Sequence, residues 1–332
     1  MTTSADFAPL VSRFFNTYLI QQRDASPHTV ASYRDTFRHL VLYVHKTLGK
    51  EPQDMAFDDL NTEFLTKFLR HLENQRGNSA RTRNARLAAI RSLFRFVALH
   101  EPCHAALAQQ VLAIPGKRYT RQPIDYLDDD EIDALLQAPD QSTWVGRRDH
   151  ALLLVAVQTG MRASELITLR CTDVHPGTGA HVRCHGKGRK ERCVPLRRDS
   201  VTTIRAWLKE RGGQPEDPVF VNQRMNPLTH DSLAYLVSQN LKVARAVCPT
   251  LEKKRVTPHT LRHSCAMVLL QGGVDQITIA LWLGHESLET TYLYLHADLK
   301  LKEQAMAKTA PSATPVQRFK PKDKLLAYLN SL

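Results

Sequence analysis

Apolar residues recur every three to four positions through the first 112 residues, the period of amphipathic helices. Ser26-Pro27 is a typical helix start, because serine caps the first turn and proline suits its first position. Four helices are predicted here: Phe7 to Leu19, a helix from Ser26-Pro27 that ends at Gly49, Asn61 to Gln75, and Ser79 to His100. The pattern therefore predicts a compact bundle of four or five helices in residues 1–112.

Residues 113–124 interrupt this pattern. They contain two prolines, a glycine and three basic residues, a composition typical of turns rather than of helices. A basic extended segment between two domains can follow a nucleic-acid backbone, and Lys117 and Arg118 are its candidate DNA contacts. The alternative is a plain spacer.

Helical patterning resumes in residues 125–305. The acidic run after Leu127 suits a helix N-terminus, and the nearly apolar stretch from Trp144 to Thr159 predicts a buried helix. A new helix is expected to start directly after Gly160, with Arg162 and Glu165 on one face of its first turn. An arginine there could hold a phosphate beside the backbone N–H groups. Alternatively, the two residues form a surface pair of little consequence.

The period changes again between residues 171 and 197. Short strands are predicted at Val174, at residues 180–184 and at residues 192–196, around a turn of glycines and basic residues. Lys187 lies between two glycines of this turn and could reach a ligand, although a solvated lysine is the commoner outcome. Further helices are predicted from Ser200 to Glu210 and from Asp231 to Ala246, and a stretch of short helices is predicted from Thr257 to Lys302. The fold class is thus mainly α, with a small antiparallel sheet.

Charge is distributed unevenly along the 332 residues. The net charge is +12, with 17 basic against 10 acidic residues in positions 1–123, 23 against 22 in positions 124–305, and 5 against 1 beyond. This excess favours a polyanionic partner. The six cysteines form no CxxC pair, which argues against a zinc ribbon or a disulfide framework. With a polar N-terminus and no apolar run long enough for a bilayer, the expectation is a soluble cytoplasmic protein without a membrane partner.

The predicted fourth helix concentrates arginine. Six arginines, from Arg76 just before the helix to Arg95 within it, occur with no acidic residue between them, and Asn84 among them could read adenine bidentately. A charge run is usually a solvated face, but such a run repels itself unless phosphates neutralise it. We therefore expect this helix to lie on a DNA groove. Its candidate DNA contacts are Arg81, Arg83, Asn84, Arg86 and Arg91, to which the basic turn adds Arg189 and Lys190.

Residues 257–294 bring candidate imidazole, guanidinium and phenol groups together in under forty positions. His259, Arg262 and His285 could bind a phosphodiester while Tyr292 or Tyr294 attacks it. Each residue also has a structural explanation, since a helical tyrosine is more often part of the core. The pair His259 and His263 could equally ligate a metal or lie on a helix surface.

Four motifs resemble those of the tyrosine recombinases, or phage integrase family. They are TGMRASEL from Thr159, GKGRKER from Gly186, HTLRHS from His259 and LGHESLETTYLYLH from Leu283. The resemblance implies a core-binding, SAM-like helical bundle in residues 1–112 and a catalytic domain in residues 125–305. Cys265 and Met267 stand where an aromatic and a small polar residue are usual, and we interpret both as packing positions.

The resemblance also implies a role for each motif residue. Arg162 and Arg262 would clamp the scissile phosphate, Lys187 would protonate the leaving 5′-oxygen, and Tyr294, nine residues after His285, would be the nucleophile. Tyr292 is its competitor. Three helpers are implied as well: His259 as general acid/base, His285 as a phosphate hydrogen-bond donor, and Glu165 as an orienting acid. Two transesterifications through a 3′-phosphotyrosyl link would need neither ATP nor a metal, so no cofactor is expected.

The expected function is that of a site-specific DNA recombinase, and an integrase or transposase of a mobile element fits better than chromosome-dimer resolution. Its implied partners are double-stranded DNA with specific sites, a homotetramer on that DNA, and accessory DNA-bending or partner recombinase proteins. Residues 306–332 predict a connector and a short helix from Lys322 to Leu332, which docks on a neighbouring protomer or folds back. The alternatives are a non-cutting DNA-binding protein, a type IB topoisomerase-like enzyme, and a metal-dependent nuclease built on His259, His263 and His285.

Overall fold

The chain was analysed in a computed structural model that describes residues 7–120, 124–186 and 191–285, together with residues 291 and 294. Internal contacts divide it into two units, Met1–Arg121 and Gln122–Leu332. The division falls inside the proline-containing segment 113–124. Among the described residues, no helix combines the length and apolarity that a membrane span requires.

The N-terminal unit is helical, as predicted. Its helices are α1 (Phe7–Arg13, continued as a π-helical segment, Phe14–Gln22), α2 (Pro27–Leu48), α3 (Thr62–Arg76), α4 (Ala80–His100) and α5 (Ala105–Leu112). Short 3-10 turns lie at Pro52–Asp54, Phe57–Leu60 and Pro102–His104. The first helical stretch extends three residues beyond the predicted Leu19.

The predicted helix boundaries rest on side-chain and glycine caps. The Ser26 hydroxyl accepts a hydrogen bond from the Thr29 N–H at the start of α2, and Gly49 ends that helix with φ +68°. Asn61 and Ser79 cap α3 and α4 in the same way. Between the helices, aromatic rings fill the core, with the rings of Phe14 and Phe96 5.6 Å apart.

The second unit consists of helices around one small sheet. Its helices are α6 (Asp129–Gln137), α7 (Trp144–Thr159), α8 (Ala163–Ile167), α9 (Arg198–Arg211), α10 (His230–Val247), α11 (Pro258–Gln271) and α12 (Gln276–Leu283). The strands are β1 (Val174–His175), β2 (His181–His185) and β3 (Glu191–Pro195), and 3-10 turns lie at Cys171–Asp173 and Pro249–Lys253.

The three strands form an antiparallel sheet in the order β1-β2-β3. Val182 is paired with Val174 on one side and with Val194 on the other, so three valines share the buried face. The predicted mainly α fold with a small antiparallel sheet is confirmed. Only the strand limits differ, because β2 begins and ends one residue later than predicted and β3 one residue earlier.

Helix α7 is the centre of the second core. Its residues from Ala151 to Ala156 are all buried, as their uninterrupted apolar run predicts. A smaller apolar cluster joins α11 to α12 and contains Cys265, Met267 and Tyr294. The thiol and thioether are thus packing positions, and all six cysteines of the chain are free.

The stretch from Thr257 onward forms short helices, as predicted, through residue 283. Beyond residue 285, its predicted continuation to Lys302 lies outside the described residues except at Thr291 and Tyr294. Helix α11 ends at Gln271, a turn follows, and α12 ends at Gly284, which has φ +64°. Two glycines in the turn and a third after α12 favour these breaks. The predicted tail elements of residues 306–332 lie outside the described residues.

Candidate active site

The site lies where the ends of α7 and α12 meet α11. Gly160 ends α7 with φ +61°, and a Cβ at this position would lie 2.5 Å from the Leu283 Cδ2 atom. A side chain there would therefore both strain the backbone and push α12 away. The close approach leaves two backbone carbonyls, those of Gly160 and Leu283, directed at the same point.

Arg262 occupies that point. Its Nη1 donates to the Gly160 carbonyl and its Nη2 to the Leu283 carbonyl, each at 2.7 Å. The residue is 3% exposed. Burial, reinforced by the charge of Arg162, lowers the pKa of Arg262 to about 10, which leaves the guanidinium charged at neutral pH. The structure thus holds a fixed positive charge under the surface of the site.

Arg162 is the second guanidinium, and it lies before α8 rather than in its first turn as predicted. Its backbone is extended (φ −67°, ψ 152°), because Arg162 is the N-cap and its N–H donates to Glu165 Oε2 at 2.8 Å. The Arg162 side chain donates to Glu165 Oε1 and to the Gly284 carbonyl. Glu165 is 4% exposed, so the alternative of an inconsequential surface pair is wrong.

Arg192, on β3, is a site residue that the sequence reasoning missed. Its Nη1 and Nη2 donate to the two carboxylate oxygens of Glu165 at 3.0 and 2.8 Å, and its Nε donates to the Trp282 carbonyl. Burial acts to raise the pKa of Glu165, but these hydrogen bonds outweigh it and lower that pKa. Arg192 ends the GKGRKER motif, yet nothing in its spacing indicates this contact.

Tyr294 is buried near Arg262. It is 2% exposed and packs in the α11–α12 cluster. Burial raises the pKa of its phenol to about 12, although the charge of Arg262 opposes this shift. The ring of His285 stacks on it at 6.2 Å with planes 15° apart, and His285 Nδ1 lies 2.8 Å from the Thr291 hydroxyl. Burial and the nearby arginines lower the pKa of His285 to about 4.

His263 contacts the candidate nucleophile directly. Its Nδ1 lies 2.9 Å from the Tyr294 hydroxyl, and its ring lies 4.4 Å from that of His259. Burial, followed by the charges of His259 and Arg262, lowers the pKa of His263 to about 4. The sequence reasoning considered His263 only as a metal ligand or surface residue. Within the described residues, no group of three or more His, Cys, Asp or Glu side chains could hold a metal.

Four of the predicted residues lie outside the described residues. They are Lys187, Arg189 and Lys190 of the basic turn and the competing tyrosine, Tyr292. The structure describes the base of that turn. There His185 pairs with Glu191 across β2 and β3, and His185 Nε2 lies 2.9 Å from Asp173 Oδ1. The two strands that flank this turn in the sequence thus belong to the same unit as Arg162 and Arg262.

The structure does not gather the predicted DNA contacts of the N-terminal unit into one site. Arg81 and Arg118 are exposed, and Arg86 donates to the Thr36 hydroxyl. Arg83 is 6% exposed and donates to the Pro115 carbonyl. The remaining three join the segment after α5 to the helices: Arg91 donates to the Ile114 carbonyl, Asn84 bonds the Lys117 backbone, and Lys117 Nζ pairs with Glu73 of α3.

The geometry and the motifs agree with what comparison with known proteins shows. Residues 125–300 match the phage integrase family, and residues 12–101 match the N-terminal SAM-like domain of phage integrases. The chain belongs to the phage integrase family. The recognition made from the four sequence motifs is thereby confirmed.

Two relatives and one solved structure illustrate where the chain stands among phage integrase family members. It is 51% identical to a putative integrase/recombinase, y4rC, of Sinorhizobium fredii over 332 residues, all of both chains. It is 34% identical to the tyrosine recombinase XerC of Pelobacter propionicus, covering 91% of this chain and 95% of that one. The structure of the XerH site-specific recombinase bound to palindromic difH substrate superposes with a TM-score of 0.69 at 26% identity, over 87% and 82% of the chains. This integrase family member is therefore a tyrosine-type recombinase.

Proposed function

We propose that this recombinase cuts and rejoins DNA at specific sites through a 3′-phosphotyrosyl link formed on Tyr294. One observation supports this most strongly. Arg162, Arg262 and Tyr294 come from three motifs that are far apart in the chain, and the fold brings two guanidinium groups and a phenol to the ends of α7 and α12. Fixed cations beside a potential nucleophile suit a reaction in which phosphate oxygens gain charge.

The first chemical step follows from these residues. Tyr294 Oη forms a bond to phosphorus, the bond from phosphorus to the 5′-oxygen breaks, and the phenolic proton is lost as the 5′-oxygen gains one. Arg162 and Arg262 balance the charge on the non-bridging oxygens. We propose Lys187 as the donor to the 5′-oxygen and His259 as an acid/base, on the resemblance of their motifs. Reversal of the same step with another 5′-hydroxyl rejoins the strands, so no external energy source is required.

Supporting roles are proposed for the neighbouring polar residues. Glu165 orients Arg162, as their two hydrogen bonds indicate. His285 donates to a phosphate oxygen when DNA displaces the contact of its ring with Thr291. Its lowered pKa leaves it neutral at pH 7, so it would contribute a hydrogen bond and not a charge.

We propose that DNA contacts are made by exposed basic side chains of both units. Arg81 and Arg118 qualify in the N-terminal unit, and Arg86, Lys117, Arg189 and Lys190 remain candidates from the sequence. A phosphate contact by any of them would make binding weaker as salt rises. The proposed assembly is a homotetramer on paired sites, with accessory proteins as further partners, in the cytoplasm beside nucleoid DNA.

A mobile element is the proposed biological setting. The relative that matches over its whole length carries the name integrase/recombinase. Chromosome-dimer resolution is the alternative setting, and the relative named tyrosine recombinase XerC is less identical to this chain. DNA sequences recovered with the covalent intermediate would distinguish these two settings.

Covalent capture tests the proposal. The protein is incubated on fragmented, nicked DNA of the host and its mobile elements in two parallel reactions, one with EDTA and one with a divalent metal ion, and each is then denatured with SDS. The expected result is a DNA-linked peptide with the phosphate on Tyr294, absent in Tyr294→Phe and retained in Tyr292→Phe. An adduct on Tyr292 would reassign the nucleophile, and specific DNA binding without any adduct would favour the non-cutting alternative. Loss of cleavage only with EDTA would indicate a metal-dependent nuclease.

A further inference from the structure

Asn84 and the segment after α5 are joined by a reciprocal pair of hydrogen bonds. Asn84 Nδ2 donates to the Lys117 carbonyl at 2.8 Å, and the Lys117 N–H donates to Asn84 Oδ1 at 2.9 Å. The side-chain amide thus pairs with one residue of backbone as a neighbouring strand would. Because a donor and an acceptor are matched at once, the orientation of this amide is determined by its partners.

Side chains from the same face of α4 also bind two backbone carbonyls that lie shortly before Lys117 in the chain, those of Ile114 and Pro115. Arg83 Nη1 donates to the Pro115 carbonyl at 2.9 Å, and Arg91 Nη2 donates to the Ile114 carbonyl. From α3, the Glu73 carboxylate pairs with Lys117 Nζ at 2.8 Å. Four side chains of one unit therefore hold residues 114–117, which we call the anchored segment. Proline and glycine prevent this segment from forming its own helix, so its backbone groups need such partners.

This arrangement competes with base reading by Asn84. Bidentate recognition of adenine uses Oδ1 as acceptor and Nδ2 as donor, the same atoms that hold Lys117. Oδ1 also accepts from Arg83 Nη1 at 3.1 Å, so both of its lone pairs are engaged. Asn84 cannot accept a hydrogen bond from a base unless it releases one of these partners.

We infer that Asn84 is a positioning residue that anchors the start of the interdomain segment to the N-terminal unit, and that it does not read a base. The segment 113–124 is then effectively shortened at its N-terminal end, from twelve residues to the seven after Lys117. Five fewer residues remove roughly 17 Å of extended reach. Asn84 thereby sets where the chain leaves the N-terminal unit on its way to the catalytic one.

Anchoring by Asn84 and base reading by Asn84 predict losses of DNA affinity of different size when the residue is replaced. If both units bind one duplex, as the proposed function requires, a longer connection lowers the effective concentration of the second unit by about twofold. That loss is the same for every base sequence. Removing a bidentate base contact instead lowers the affinity for the preferred DNA sequence by roughly 5- to 150-fold and relaxes the preference at one base pair.

Hydrogen exchange on the full-length protein without DNA tests the anchoring directly. The Lys117 amide is expected to be protected in the wild type, since its N–H is bonded although the residue is exposed. Asn84→Ala should abolish that protection and leave Leu93, inside α4, unchanged. Asn84→Asp, which cannot donate to the carbonyl, should give an intermediate value, and Glu73→Gln should keep protection because it removes only the side-chain pair. An unprotected Lys117 amide in the wild type would overturn the inference.

Selection from a pool of 40-base-pair random duplexes supplies the second measurement. Asn84→Ala is expected to enrich the same sequences as the wild type, with about twofold weaker binding. Arg81→Ala, which removes a proposed phosphate contact on the same helix, is the reference for weaker binding without any change of preferred sequence. Relaxed preference at a single adenine in Asn84→Ala would establish base reading and overturn the inference. A pool that fails to enrich with the wild type would count against the proposed function, and exchange at Lys117 would still decide the anchoring.

Discussion

The hydroxyl of Tyr294 lies 2.9 Å from Nδ1 of His263, so the candidate nucleophile is hydrogen-bonded to the residue that follows Arg262 in α11. His263 is uncharged at neutral pH because burial lowers its pKa to about 4. Its neutral ring can accept the phenolic hydrogen bond, and a phenol is the better donor of the two. Burial in the α11–α12 cluster raises the pKa of the phenol to about 12, so it is protonated at neutral pH and can donate this hydrogen bond.

Removing the imidazole should make Tyr294 more acidic. In His263→Ala, water reaches the phenol and its hydrogen-bond acceptor is lost, so the Tyr294 pKa should fall from about 12 towards the ordinary value of about 10. Ultraviolet titration of each protein, minus the same protein carrying Tyr294→Phe, isolates this one tyrosine. His150→Ala, a half-buried histidine of α7, is the control. An unchanged Tyr294 pKa would show that the contact with His263 does not govern it.

Acid should destabilise the catalytic unit through its neutral histidines. Burial lowers the pKa values of His263 and His285 to about 4, below the unfolded value of 6.5. Between these values the unfolded chain binds more protons, so the stability that is complete above pH 6.5 is lost as pH falls towards 4. Partial exposure limits the combined loss to roughly 3 kcal/mol.

All three tryptophans belong to the second unit, so their fluorescence during urea unfolding reports on it alone. The fall in stability from pH 6.5 to 4 should be smaller in the His263→Asn, His285→Asn double variant. An equally steep fall in that variant would assign the acid effect to other groups.

Arg192→Gln should be strongly destabilising. The change leaves Glu165 buried with only Arg162 as a charged partner, and breaking such a pair typically costs about 3 kcal/mol. Arg147→Gln is a matched control, because Arg147 also makes a two-point contact, with the carboxylate of Glu210, but at the exposed surface. Its loss should cost less than about 1 kcal/mol. Equal costs in tryptophan-detected urea unfolding would mean that burial of the Arg192 pair is not what matters.

Gly160→Ala should damage the site by displacing α12. The new Cβ would lie 2.5 Å from Leu283 Cδ2 and 3.1 Å from Cys265 Sγ, in addition to the strain of φ +61°. Gly179→Ala shares the positive φ, at +70°, but nothing lies within 4 Å of its Cβ. We expect a loss of folding stability of about 1 kcal/mol for Gly179→Ala, from backbone strain alone. For Gly160→Ala, where steric overlap adds to the strain, we expect a loss of about 2 to 4 kcal/mol. Similar melting temperatures for the two variants would show that contact of the new Cβ with Leu283 and Cys265 does not destabilise the protein.

The local signals in the sequence determined most of the helical framework. Serine, asparagine and threonine caps and the glycine stops define α2, α3, α4 and α7, because these interactions occur between residues close in the chain. The motifs identified the family and the catalytic candidates. The short helices predicted beyond Thr257 follow the same rule, because α11 and α12 each end at a glycine.

Only the tertiary structure decided which side chains meet. Arg192 reaches Glu165 across 27 positions, and His263 reaches Tyr294 across 31, through contacts that no periodicity encodes. The arginines of α4 show the same limit of sequence-based prediction. A run of arginines without acidic residues has the same sequence whether its hydrogen-bond acceptors are DNA phosphates or backbone carbonyls of the protein. Asn84 and Arg83 bind carbonyls more than thirty positions away. Periodicity and capping depend on neighbours in sequence, whereas these partners depend on how the packed helices bring distant backbone together.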